Sequence, residues 1–148
     1  MTTTSHEKVG AYSTNQRTQE NSRQTDARAL LSCASRLKSV LDAGGADMEV
    51  YIQAVRHNQR LWTLFQVALC DSDNPLPRDL KITLLNLSRY VDRVSFRAIG
   101  AFEPQLLSSL IDINRMIAAG LSVRQSTEIS PPPAEVATSG AAVVMTTA

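Results

Sequence analysis

Histidine and cysteine are scarce in this 148-residue chain. It has two histidines, His6 and His57, and two cysteines, Cys33 and Cys70, and none of the four has the spacing of a metal-ligand set. The sequence also lacks a Gly-rich phosphate loop, a nucleophile elbow and a complete calcium loop. We therefore predict a protein that is not an enzyme and that holds no metal, cofactor or small-molecule substrate. The cysteines, far apart in sequence, are predicted to be two buried free thiols.

Aromatic residues and long apolar runs are also scarce, and positive and negative charges nearly balance. Aromatic residues are 5% of the chain, so the core must be built mainly from Leu, Val, Ile and Ala. The net charge of +1 argues against a strongly basic nucleic-acid-binding protein. The chain has no run of about 18 apolar residues, the length that predicts a transmembrane helix. We therefore expect no membrane partner. Residues 1–20 lack the apolar core of a secretory signal, which predicts a cytoplasmic protein.

The clearest pattern that is present is a helical stripe over residues 47–69. Apolar residues recur there at steps of three and four, the spacing of one helix face. Asn58 is the only polar member, and Trp62, the only tryptophan, follows it by one turn. Asp47 suits the N-cap of this helix. The stripe consists of Tyr51, Ala54, Val55, Asn58, Leu61, Trp62, Phe65, Ala68 and Leu69.

Three further stretches have the same spacing. They run from about Asn21 to the Gly44-Gly45 pair, from about Pro77 to Ile99, and from about Glu103 to Ala119, with Gly120 as C-cap. Short loops make sequential helices antiparallel neighbours, and amphipathic helices must bury their apolar faces on one another. The sequence therefore predicts an all-α fold, a small antiparallel bundle of about four helices over residues 21–121.

The two ends of the chain lack this pattern. Residues 1–20 are predicted to be flexible. Tyr12 lies in their one apolar spot, either loose or docked on the core or on a partner. Residues 122–148 combine a Pro131-Pro132-Pro133 run with small residues and no helical or strand period. We predict that this tail is disordered.

Two asparagines interrupt the apolar stripes at equivalent positions. An amide buried without partners costs about 1–3 kcal/mol, so Asn58 and Asn114 must bond to each other, to backbone ends or to a partner chain. Two interpretations remain open: a polar pair that fixes helix register, or a polar patch in a groove that accepts a helix from another protein. Trp62 is either a core residue or a binding anchor. Arg60 and Arg115 point away from the stripes and are predicted surface residues, either solvated or in contact with a partner.

Several blocks of this sequence occur together in one known family. The blocks are Asn58-Gln59-Arg60-Leu61-Trp62, Asn74-Pro75-Leu76-Pro77 with Leu80, Leu87-Ser88 with Tyr90-Val91, and Leu110-Ile111-Asp112-Ile113-Asn114-Arg115 with Ile117 and Gly120-Leu121, preceded by Ala11-Tyr12 and Ser22-Arg23-Gln24-Thr25. In order and spacing they resemble the FlaF family of flagellar biosynthesis regulators of alphaproteobacteria, over about residues 9–121. The extension from Ser122 to Ala148 is outside the usual pattern.

The resemblance implies a small, helical, non-enzymatic protein of the cytoplasm. Family members are needed for making and secreting flagellin and act alongside the FlbT regulator. The family brings no catalytic residues. The candidates for partner contact are Tyr12 and the motif positions Asn58, Arg60, Trp62, Asp112, Asn114 and Arg115.

Two functions are compatible with this resemblance. In the first, the bundle binds a terminal segment of flagellin, which forms helices in the filament, and hides its apolar face until export. In the second, the protein regulates flagellin expression after transcription by contacting RNA or FlbT. The cations that would serve the second function are Arg78, Lys81, Arg89, Arg93 and Arg97. They are interleaved with acids and lack aromatic stacking partners, which argues against RNA.

Overall fold

The chain folds into packed α-helices, as a computed structural model shows for residues 4–129, with side chains described over 10–123. The helices are α1 (Thr4–Asp42), α2 (Met48–Cys70), α3 (Arg78–Gly100) and α4 (Leu107–Ile129), and a 3-10 turn, Pro104–Leu106, precedes α4. No strand occurs between residues 4 and 129. The prediction of an all-α bundle of about four helices is confirmed.

The N-terminal end of α1 differs from the prediction. The helix begins at Thr4 and not near Asn21. Asn21 lies inside α1, where Thr25 Oγ1 donates a hydrogen bond to its carbonyl oxygen at 2.8 Å. A residue type that favours N-caps does not start a helix when the chain before it can also be helical. The flexibility expected of residues 1–20 stays a prediction.

The C-terminal end of α4 also differs from the prediction. The helix continues through Gly120 to Ile129, so Gly120 is not its C-cap. A glycine inside a helix costs only about 1 kcal/mol relative to alanine, which the neighbouring turns can absorb. Residues 122–129 of the predicted tail are therefore helical, and residues 130–148 lie outside the described part of the chain.

The turn between α1 and α2 is set by residues that the sequence singles out. Gly44 and Gly45 both adopt positive φ, at 63° and 68°. Gly45 N donates to Val40 O and Gly44 N donates to Leu41 O, each at 2.9 Å, which is the Schellman pattern of a helix C-terminus. Asp47 then caps α2, because its Oδ1 accepts from the backbone nitrogens of residues 49 and 50 at 3.1 and 3.2 Å. Together these bonds reverse the chain and make α1 and α2 antiparallel.

The four helices do not contact one another equally. α4 packs mainly on α1, and α2 packs on both α1 and α3, whereas α3 and α4 contact each other much less. At the end where α2 begins and α3 finishes, the bundle is closed: Tyr51 is fully buried, its hydroxyl donates to Ala98 O at 2.6 Å, and its ring packs edge-on against Phe102. The opposite end, where α3 begins, is more open.

The two cysteines are both free thiols, but only one is buried. Burial raises the pKa of the Cys33 thiol, and the nearby Arg36 partly opposes that rise. The prediction that Cys70 is buried was wrong. Cys70 is the last residue of α2 and follows Leu69, the final member of the buried stripe, so it faces solvent.

One stretch has the length and apolar composition to cross a membrane. It spans Pro104–Val123, has a mean hydropathy of 1.3, and one third of it is buried inside the bundle. The buried core helix of a soluble protein meets the same criterion. Charged Asp112 and Arg115 interrupt this stretch, and the absence of a membrane partner stays a prediction.

Candidate functional site

A buried hydrogen-bond network joins the two stripe asparagines and the tryptophan. Asn114 Nδ2 donates to Asn58 Oδ1 at 2.7 Å and to Leu30 O at 3.4 Å, and Trp62 Nε1 donates to Asn114 Oδ1 at 2.9 Å. Both asparagines are 0% exposed and Trp62 is 1% exposed. Asn114 on α4 therefore ties α1 and α2 together, as the interpretation of a register-fixing polar pair requires.

The network is not fully satisfied. Asn58 Nδ2 is the one buried side-chain nitrogen or oxygen between residues 10 and 123 that has no hydrogen-bond partner. Such a group costs about 1–3 kcal/mol. The bundle tolerates this cost, and a slip of one helix along another would leave more of the network unpaired. The three polar side chains thus make helix register specific at the expense of some stability.

An apolar groove lies directly above this network, at the end of the bundle where α3 begins. We call it the apolar groove; its volume is about 140 Å³. It is lined by Asp26, Leu30, Trp62, Phe65, Ala68, Leu69, Asn74, Leu76, Leu84, Ile117 and Leu121. Buried Leu30 and Trp62 form its floor, and half-buried apolar side chains from α2, α3, α4 and the α2–α3 loop form its walls. All four helices and the α2–α3 loop contribute to this lining, and α3 and α4 have few contacts with each other.

The Asn74-Pro75-Leu76-Pro77 block builds one wall of the groove. Asn74 Nδ2 donates to Ala68 O at 2.9 Å and so satisfies a carbonyl at the end of α2. Asn74 Oδ1 accepts from Leu76 N at 3.0 Å, which turns the chain and brings the Leu76 side chain to the groove. Pro77 is the N-cap of α3, which begins at Arg78. The helix therefore begins one residue later than the predicted start at about Pro77.

Contacts between α2 and α3 hold the neighbouring wall in place. Gln66 Nε2 donates to Ser88 Oγ at 3.1 Å and to Asp92 Oδ2 at 3.0 Å. The ring of Phe65 packs edge-on against Trp62, with centroids 5.6 Å apart. The groove is therefore lined by side chains that are already positioned, which lowers the entropy cost of binding.

Asp26 is the only carboxylate that lines the apolar groove. Burial raises the pKa of this carboxyl above its ordinary value of 3.8. No hydrogen bond or ion pair joins Asp26 to another residue between 10 and 123. A cationic side chain on a bound segment would find in Asp26 a partner that is already partly desolvated.

We expect Asp26→Asn to stabilise the unbound protein at pH 7. Because the folded-state pKa is raised, ionisation of Asp26 opposes folding; this cost is absent below about pH 3.8 and appears as the pH rises through the folded-state pKa. The gain should be below about 1 kcal/mol, since the side chain is partly solvated. Urea unfolding at pH 7 and pH 3.5 would measure it, with exposed Asp112→Asn as control. A variant that is less stable than wild type at pH 7 would contradict this account of Asp26.

The structure separates the predicted partner-binding residues into two groups. Asn58, Trp62 and Asn114 come together beneath the groove, and of these only Trp62 lines it. The other four are exposed and lie outside the groove: Tyr12 (79% exposed), Arg60, Asp112 and Arg115. Direct partner contact by any of the seven stays a prediction, and the buried asparagines would need the bundle to open.

Two of the five α3 cations already have intramolecular contacts. Arg97 pairs with Glu103 at 3.4 Å, and the guanidinium of Arg93 lies 6.0 Å from the ring centre of Tyr90. Tyr90 and Phe96 expose aromatic surface on this helix, which the sequence pattern did not predict. Among the described side chains, no three His, Cys, Asp or Glu residues come together as a metal site.

The sequence left open a groove that accepts a helix from another protein, but it did not predict where that groove lies. Its wall residues Leu84, Ile117 and Leu121 fit regular helical stripes and gave no sign that they stay half-exposed. The Asn74-Pro75-Leu76-Pro77 block was the one available signal, since a leucine between two prolines is held outside any helix.

Comparison with known proteins identifies one family. A family model described as flagellar protein FlaF matches residues 8–121. The matched range contains the network, the groove and all three connections between the helices. No curated protein and no solved structure matches the chain.

Proposed function

Because this chain belongs to the FlaF family of flagellar proteins, we propose that its bundle binds flagellin and holds it in a form fit for export. The apolar groove is the observation that carries this proposal. It is a binding site for one amphipathic helix, and the protein acts there by contact and not by catalysis.

The groove has the features of a helix-in-groove binding site. Such sites accept apolar anchors spaced at i, i+3, i+4 and i+7 along a bound helix. The half-buried Phe65, Leu76, Leu84 and Ile117 would lose their remaining exposure on binding, which contributes about 25 cal/mol per Å² of apolar surface removed from water. A helix in this position would also contact both α3 and α4, which have few contacts with each other.

Flagellin supplies a segment of the required chemistry. Its terminal segments form amphipathic helices in the filament, and before assembly their apolar faces lack the neighbours that the filament provides. A free apolar face of that kind promotes aggregation. Covering it in the groove would keep flagellin unassembled in the cytoplasm, where we place this function, and support its synthesis or delivery to the export machinery.

The alternative, regulation of flagellin expression through RNA or FlbT, stays a prediction. It relies on the outer cations of α3, of which Arg93 and Arg97 already contact Tyr90 and Glu103. None of these cations lines the apolar groove. The groove therefore supports flagellin binding more directly.

Calorimetric titration of the full chain with monomeric flagellin tests this proposal. We expect one flagellin per chain with a dissociation constant in the micromolar range or tighter, and a negative heat-capacity change from apolar burial. A flagellin that lacks both terminal segments serves as control and should not bind. The absence of binding at tens of micromolar would count against the proposal.

A further inference from the structure

A second concave surface lies on the face of α2 opposite the apolar groove. Its volume is about 680 Å³, and its lining consists of Arg36 from α1 and Met48, Glu49, Ile52, Gln53, Arg56, His57 and Arg60 from α2. We call the part formed by Arg36, Arg56, His57 and Arg60 the basic surface. The groove uses Trp62, Phe65 and Leu69, which helical periodicity places on the other side of α2.

The cations of the basic surface are not neutralised within the bundle. The three arginines are exposed, and no carboxylate of residues 10–123 lies within salt-bridge distance of them. The single acid in the lining, Glu49, instead accepts a hydrogen bond from Gln53 Nε2 at 3.3 Å. Three arginines against one glutamate make this a local concentration of positive charge in a chain whose net charge is only +1.

Exposed apolar side chains flank the basic surface along α2. Met48 contributes to the concavity at one end and is about half exposed. Leu64 and Val67, four and seven residues after Arg60, share its helix face and are 66% and 67% exposed. No aromatic ring of Phe, Tyr or Trp lines the concavity. Stacking on such rings is what single-stranded nucleic acids usually require.

We propose that the basic surface binds an acidic, amphipathic helical segment of a second protein. Carboxylates of that segment pair with Arg36, Arg56 and Arg60, where arginine can engage both carboxylate oxygens. Its apolar residues cover exposed Met48 at one end of the basic surface and exposed Leu64 and Val67 at the other. Since the surface and the groove lie on opposite faces of α2, this partner and a groove-bound helix fit the bundle at the same time. The proposal does not depend on what occupies the groove.

The test uses three synthetic helical peptides that share one apolar face and carry Glu, Gln or Lys on the polar face. Fluorescence anisotropy with the full chain at low salt should show that the Glu peptide binds at least tenfold more tightly than the other two. Its affinity should fall as salt rises. Equal binding of the Glu and Gln peptides would overturn the proposal.

Matched arginine variants locate the site. The double variant Arg56→Gln/Arg60→Gln should weaken binding of the Glu peptide at least tenfold. The control Arg78→Gln/Arg89→Gln removes the same charge from α3 and should leave binding unchanged. Equal effects of the two double variants would show attraction by net charge alone and would overturn the proposal.

Two further measurements distinguish a protein-binding surface from a nucleic-acid site and from an extension of the flagellin site. A labelled single-stranded RNA that binds wild type more tightly than the Glu peptide, and is lost in Arg56→Gln/Arg60→Gln, would reassign the surface to nucleic acid. Titration of a second variant, Arg36→Gln/Arg56→Gln, with flagellin should match wild type, since neither residue is a candidate for flagellin contact. A loss of flagellin binding there would show that the basic surface belongs to the flagellin site and would contradict its independence.

Discussion

Replacing Asn114 with alanine is expected to lower the free energy of unfolding by about 3 kcal/mol, a large part of the stability of a small domain. The substitution removes the acceptor for Trp62 Nε1 at 2.9 Å and the donor to Asn58 Oδ1 at 2.7 Å. Both remaining groups are buried, so both lose their partners without gaining water. A small cavity adds to the cost. Urea unfolding followed by the fluorescence of Trp62, the only tryptophan, measures the effect directly.

Two comparisons distinguish this network from general helix effects. Asn86→Ala changes an exposed asparagine on α3 and should alter stability by less than about 0.5 kcal/mol. The double variant Asn58→Ala/Asn114→Ala should cost less than the sum of the two single variants, because removing both amides leaves fewer unpaired groups. A cost for Asn114→Ala as small as that of Asn86→Ala would mean that the network does not stabilise the bundle.

Leu84→Asp is expected to weaken flagellin binding at least tenfold, a loss of about 1.4 kcal/mol or more. Leu84 lines the apolar groove from α3, and a carboxylate there would have to be desolvated beside the apolar face of the bound helix. The side chain is only half-buried in the free protein, so the variant should still fold. Calorimetric titration with monomeric flagellin gives the change in affinity, and circular dichroism checks the fold.

Ile82→Asp is the matched control for Leu84→Asp. Ile82 lies two residues earlier on α3, is exposed, and does not line the groove. The same change of charge and loss of apolar surface there should leave flagellin affinity within about twofold of wild type, since surface changes away from a contact are usually small. Equal weakening by the two variants would indicate that the charge of α3, and not the groove, determines binding.

The helices and their inner turns could be predicted because they depend on local chemistry. The Gly44-Gly45 pair and Asp47 have side-chain or backbone properties that suit one helix end in any context. The N-terminal end of α1 and the C-terminal end of α4 could not be predicted in this way. Asn21 and Gly120 only disfavour continuation of a helix by small free energies, and the helical chain on either side of them outweighs that preference.

The candidate site was predictable only in part. The spacing of Asn58 and Asn114 showed two buried amides that needed partners, but not whether those partners lay inside the bundle. That outcome depends on how α4 docks on α1 and α2, a tertiary arrangement that periodicity does not determine. The groove depends on the same arrangement, because its lining comes from all four helices and the packing of those helices decides how far Leu84 and Ile117 are buried.

Site-specific photo-cross-linking tests the central claim, that flagellin occupies the apolar groove. A benzophenone amino acid is placed at position 84 or at position 82 of the full chain, and monomeric flagellin is added before irradiation. The groove account predicts a cross-link from position 84 to a terminal segment of flagellin, identified by mass spectrometry, and little or none from position 82. Flagellin that cross-links equally from both positions, or only through its central domain, would contradict it.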